Sequence, residues 1–62
     1  MIEQYNKVKL KSGEYAIIVE ICEQGVAYIA DIEVEEGDYE TETIYHSDIL
    51  AKIVEVEQPM IA

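Results

Sequence analysis

Three glycines, Gly13, Gly25 and Gly37, fall about a dozen residues apart and separate runs rich in Ile, Val, Tyr and Thr. Turn residues at that interval, between β-branched and aromatic stretches, are the pattern of a small all-β sandwich or barrel. No apolar repeat of helical period runs for any length. The first strand alternates Val8 and Leu10 with Lys7, Lys9 and Lys11, so its lysines share one face. After a Lys11-Ser12-Gly13-Glu14 turn, Tyr15 to Cys22 forms a second strand, with Ile17, Val19 and Ile21 on one face and Ile18, Glu20 and Cys22 on the other. Gln24-Gly25 reverses it.

A third strand, Val26 to Val34, and a fourth, Tyr39 to Tyr45, flank the acidic loop Glu35-Glu36-Gly37-Asp38, in which Gly37 supplies the positive φ that such turns need. Symmetric pairing about that loop sets Val34 against Tyr39, Ile32 against Thr41, Ala30 against Thr43 and Tyr28 against Tyr45, and predicts that these eight face the core. The other face then sets Asp31 opposite Glu42 and Glu33 opposite Glu40. Like charges directly opposite each other are destabilising, so this pairing predicts a ribbon that gains stability as pH falls or salt rises. Ser47 to Leu50 is too short for an α-helix and reads as one 3₁₀ turn, followed by a fifth strand from Ala51 to Glu57.

Five short strands, a long central hairpin and one 3₁₀ turn before the last strand describe an SH3-like barrel. Asn6 to Ile21, with its Lys-Ser-Gly-Glu turn, and the closing Ile44-Tyr45-His46-Ser47-Asp48-Ile49 resemble KOW-type and Tudor-like barrels, and the whole resembles small bacterial SH3-like barrel proteins. The resemblance spans residues 6–57 and implies a single domain over 1–62 with a short tail at 58–62. It carries no activity with it. Ala16 stands where KOW domains usually have a second glycine that lets the backbone approach RNA, and those domains are usually basic. Tudor domains hold methylated cations in an aromatic cage, for which Tyr15, Tyr28, Tyr39 and Tyr45 are the available rings, but the symmetric pairing sends three of those four to the core. With the barrel closed between its first and last strands, Val8, Leu10, Val19, Ile21, Ala30, Ile32 and Ile49 are expected inside.

Charge narrows the partners. Fourteen acidic residues stand against four lysines, for a net charge of −10, and residues 13–62 hold all the acids but Glu3. Direct binding to nucleic acid, which draws on Lys and Arg against phosphate, is not expected, nor is binding to an anionic membrane. No signal segment or membrane-spanning run of apolar residues is apparent, so the expected location is the cytoplasm. One cysteine and one histidine make neither a disulfide nor a Cys/His zinc site, and 62 residues leave little room for an enclosed active site. His46, Ser47 and Asp48 resemble a triad in name only, since neighbours in an extended segment point apart. They read as turn-capping groups and a strand-end side chain. Cys22, with no basic neighbour to activate it, reads as a half-buried strand residue. Lys7, Lys9 and Lys11 read as neutralising acids on a neighbouring strand or guarding a sheet edge.

No catalytic residue, metal ligand or cofactor is therefore expected. The candidate partner-binding residues are the seven carboxylates of the hairpin: Asp31, Glu33, Glu35, Glu36, Asp38, Glu40 and Glu42. Their spacing does not fit an EF-hand loop, and a solvated face, a weak divalent-cation site and a surface for a basic protein partner all remain open. The chain is expected to be a non-enzymatic accessory or regulatory interaction module, acting through the acidic hairpin or a sheet edge; the alternative is an acidic mimic of nucleic acid that binds a DNA-handling protein. The sequence leaves its oligomeric state open.

Overall fold

A computed structural model describes residues 1–53. Five strands, β1 (Lys7–Leu10), β2 (Tyr15–Glu23), β3 (Ala27–Glu35), β4 (Asp38–Tyr45) and β5 (Ile49–Ile53), form one antiparallel sheet in the order β4-β3-β2-β1-β5. A single 3₁₀ turn, His46–Asp48, joins β4 to β5. The all-β expectation holds, as does pairing of the first strand with the last. The sheet is nevertheless open: among the described residues β4 and β5 are its two edges, and nothing joins one to the other. The expected continuation of the last strand from Val54 to Glu57, and the tail at 58–62, lie outside the described residues.

The core gathers on one face of this sheet. Ile2, Val8, Leu10, Ala16, Ile18, Tyr28, Ala30, Ile32 and Ile44 are buried, with Ile21 and Ile49 packed against them. Of the expected interior set only Val19 fails to join. It sits where the β2–β3 register shifts between Ile18 and Glu20. That bulge corrects the face assignment of β2. Ala16 and Ile18 point inward before it and Ile21 after it, whereas Ile17 is exposed. A strand with strict period-2 alternation cannot bury both Ile18 and Ile21; one extra residue between them can.

A second bulge corrects the central hairpin. At the tip Glu35 pairs with Asp38 around a two-residue turn, Glu36-Gly37, with Gly37 at φ +85°. Between Glu33 and Glu35 the register then shifts, so Val34 is left over and every later pair moves by one: Glu33 with Tyr39, Ile32 with Glu40, Asp31 with Thr41, Ala30 with Glu42, Ile29 with Thr43 and Tyr28 with Ile44. A one-residue slip sends each side chain of β4 to the other face. Tyr39, Thr41, Thr43 and Tyr45, expected in the core, are exposed, and Ile44 is buried opposite Tyr28. Burying a whole Ile is worth about 1.5–3 kcal/mol, and the shift also removes both direct carboxylate oppositions, so both terms favour the bulged register.

The sequence pattern did not place Ile2. The N-terminal segment folds back along β2 through Tyr5 N–H to Ile18 O (2.6 Å) and Ile18 N–H to Asn6 O (2.9 Å), and the Gln24 amide donates to Ile2 O at 2.8 Å. The reversal is a tight turn in which Asn6 N–H donates to Glu3 O and Tyr5 takes φ +67°. These bonds carry Ile2 onto the core.

Candidate interaction surfaces

Because β2 and β3 each have neighbours on both sides, their outward side chains fall into rows that cross the whole sheet. One row reads Tyr39, Glu33, Tyr15, Lys9, Ala51 from β4 to β5; the next reads Thr41, Asp31, Ile17, Lys7, Ile53. Carboxylates thus stand on β3, an aromatic and an aliphatic group on β2, and ammonium groups on β1. The Nζ atoms of Lys7 and Lys9 lie 5.2 and 5.6 Å from the centroid of the Tyr15 ring, close enough for cation–π attraction. Neither expected role for these lysines describes that arrangement. β1 is an interior strand with no edge to guard, and an aromatic ring faces the ammonium groups. A shallow hollow among Lys7, Tyr15, Ile17, Glu33 and Tyr39 marks the middle of the face.

The seven candidate carboxylates do not form one cluster. Asp31 and Glu33 belong to the outer rows and are held by hydroxyls of β4: Thr41 donates to Asp31, and Tyr39 donates to Glu33 at 3.1 Å. The phenol of Tyr39 is pushed above its ordinary 10.0 by that hydrogen bond first and by the nearby Glu33 charge second. Glu35, Glu36 and Asp38 surround the tip, and Glu40 and Glu42 lie on the core side of β4, where they pair with Ile32 and Ala30 yet stay exposed, since no described residue pairs beyond that edge. Among the described residues no group of three or more His, Cys, Asp or Glu side chains is placed to hold a metal ion.

The remaining candidates have structural employment. The Tyr28 ring is wholly buried, and its hydroxyl accepts from Gly25 N–H (3.0 Å) and lies 2.9 Å from His46 Nδ1 and 3.4 Å from Gln24 Oε1. It thereby ties the β2–β3 turn to the 3₁₀ turn. Asp48 accepts from Tyr45 N–H at 3.0 Å. His46 and Asp48 hold this corner together rather than forming a relay. Cys22, expected to be half-buried, is exposed at a second irregularity of β2. Of the four tyrosines weighed as cage or core, Tyr28 alone is buried; Tyr15, Tyr39 and Tyr45 are exposed. The outer-face rows escaped sequence reasoning because they depend on both bulges. The one signal was the alternation of lysines with Val8 and Leu10.

Comparisons with protein families, with characterised proteins and with solved structures found no match to this chain. Among the described residues no helix is long and apolar enough to cross a membrane.

Proposed function

We propose that the chain is a non-enzymatic interaction module of the SH3-like barrel class, acting in the cytoplasm as an accessory or regulatory protein that receives a basic, extended segment of another protein along β4. The barrel assignment draws support from the strand order, from β1 shared between β2 and β5, and from the position of the 3₁₀ turn before β5. One observation carries the binding mode. β4 is an edge strand of eight residues, all exposed but Ile44, and no described residue pairs with its outer side. An open edge offers main-chain donors and acceptors to an added strand, and side chains then choose the partner. Asp38, Glu40 and Glu42 on that edge, with Glu35 and Glu36 beside it, select for Lys and Arg and against a second acidic edge.

Capture of partners from lysate, followed by direct titration of the purified partner into isotope-labelled protein, tests this reading. The module expects amide shifts concentrated in Asp38–Tyr45 and loss of binding in the Glu40→Lys/Glu42→Lys variant. Acid density along the hairpin favours the second reading, a nucleic-acid mimic. That reading expects DNA-binding proteins in the captured set, displaced by DNA and released by high salt. Shifts confined to β1 and β5 would remove both.

A further inference from the structure

The outer face of the sheet is used neither by the core nor by the β4 edge, and its charges are laid out with a symmetry of their own. β2 is the central strand of the five. On one side of it β1 carries Lys7 and Lys9; on the other β3 carries Asp31 and Glu33, in the same two rows. A surface that is positive to one side of a line and negative to the other is complementary to itself after a half-turn about that line. Two-fold dimers require this, since any residue that meets a second must be met by it in return.

We propose that this face is the interface of a homodimer whose two-fold axis runs along β2, between the stacked sheets. The half-turn sets Glu33 of one copy against Lys9 of the other and Asp31 against Lys7, four oppositely charged contacts in all. Tyr15 and Ile17 lie on the axis and meet their own counterparts, while Tyr39 and Thr41 pass over Ala51 and Ile53. The two lysines, Asp31 and Glu33 sum to zero charge, so these two rows are neutral on a chain of net charge −10. In the next row along β2, Glu20 stands opposite the outward Ile29 and meets its own counterpart near the axis, the one like-charge contact that the four opposite pairs must outweigh. The apolar groups of the patch are already partly exposed, with Tyr15 at 38%, Ile17 at 36% and Tyr39 at 52%. The charged groups are also placed beforehand. Tyr39 and Thr41 hold the carboxylates and the Tyr15 ring holds the ammonium groups, which reduces the side-chain ordering that association would otherwise require. Two sheets stacked face to face lie about 10 Å apart, a gap that Lys and Glu side chains span together. Five strands about 4.8 Å apart make a narrow contact, below the roughly 800 Å² per partner of a standard interface, so the dimer is weak and reversible. The β4 edges and hairpin tips of both copies stay free.

Sedimentation equilibrium at physiological ionic strength, from micromolar to millimolar chain, tests the assignment. Wild type should rise from 7.1 kDa toward twice that mass. Lys9→Glu and Glu33→Lys should each weaken self-association at least ~10-fold, because like charges then meet twice across the axis. Their equimolar mixture should associate again, since every contact between the two variants is once more a pair of opposite charges. Ile17→Lys, which sets two ammonium groups on the axis, should abolish the dimer, with circular dichroism confirming that each variant is folded. A wild type that stays at monomer mass at millimolar concentration overturns the proposal. So does a dimer that survives the single charge reversals, or a mixture that fails to restore it.

Discussion

β3 and β4 are paired along almost their whole length and are nearly equal in size, yet β3 buries Tyr28, Ala30 and Ile32 and β4 buries Ile44 alone. Composition explains part of this, because β4 holds three acids and two threonines. Position explains the rest: β3 lies between β2 and β4, whereas β4 has a described neighbour on one side only. Glu40 and Glu42 show the effect most directly. They sit on the core side of the sheet, opposite Ile32 and Ala30, and their carboxylates escape to water past the open edge. Thus at the Glu40 and Glu42 positions the same face of one hairpin is core on β3 and solvent on β4, and only at Ile44 is it core on both.

Truncation breaks that comparison most severely. Ile32→Ala should cost about 2–5 kcal/mol, as large-to-small core changes do. A 62-residue domain has only about 3–9 kcal/mol to lose at the usual per-residue stability, so the variant should be largely unfolded in urea or thermal melts that leave wild type intact. Thr43→Ala on β4 should stay within about 0.5 kcal/mol of wild type, as exposed substitutions generally do. Comparable losses at the two sites would mean that β4 is covered.

The hydroxyls of two tyrosines make the next contrast. Tyr28→Phe keeps the buried ring but leaves Gly25 N–H and His46 without their partner, at a cost of about 1–3 kcal/mol. Tyr45→Phe, on an exposed ring at the end of β4, should be nearly silent in the same melts. Equal effects would place Tyr45 in the core after all, as symmetric pairing required.

Strand number and order of elements, the 3₁₀ turn and most of the core were legible because they rest on local signals: glycine spacing, β-branched runs and short alternations. Val8, Leu10, Ala30 and Ile32 needed nothing more. Faces beyond a bulge were not legible, since a bulge is one unpaired residue with no composition of its own, and Val19 and Val34 look like any other strand valine. In β4 the loop sequence alone implies the wrong parity. Ile44, the one aliphatic side chain of that strand, marks its inward face and would have fixed the parity. The candidate site suffered from the same error, because Asp31 and Glu33 changed company from Glu42 and Glu40 to Thr41 and Tyr39. Ile2 is carried to the core by tertiary hydrogen bonds that no periodicity announces.

Deleting Val34 decides between the two registers with a smaller effect. In the bulged hairpin the deletion makes Glu33 and Glu35 consecutive and leaves Glu33 opposite Tyr39, so it regularises the ladder. Stability should change by no more than about 1 kcal/mol, a shift of roughly 4–8 °C at this size. In the symmetric hairpin the same deletion would turn every inward residue of β3 outward, and the protein would not fold.

The mildest test uses the phenol that β4 presents to β3. Tyr39 donates to Glu33, and a hydrogen bond to a carboxylate together with its charge holds the phenol in its protonated form, above the ordinary 10.0. A group whose folded pKa lies above its unfolded one contributes stability that is fully present below the unfolded value and is lost as pH rises through the folded value. The contribution from this pair should therefore be constant through neutral pH and disappear only in alkali, the reverse of two facing carboxylates, which would have weakened the ribbon near neutrality. Carbon NMR of the Tyr39 ring across an alkaline titration measures it. Glu33→Ala should return the ring toward 10.0, and Glu33→Gln, which keeps an acceptor and removes the charge, should return it part of the way. If neither substitution moves the titration of Tyr39, the two side chains are not neighbours, Tyr39 stands opposite Val34, and the contrast drawn between β3 and β4 loses its register.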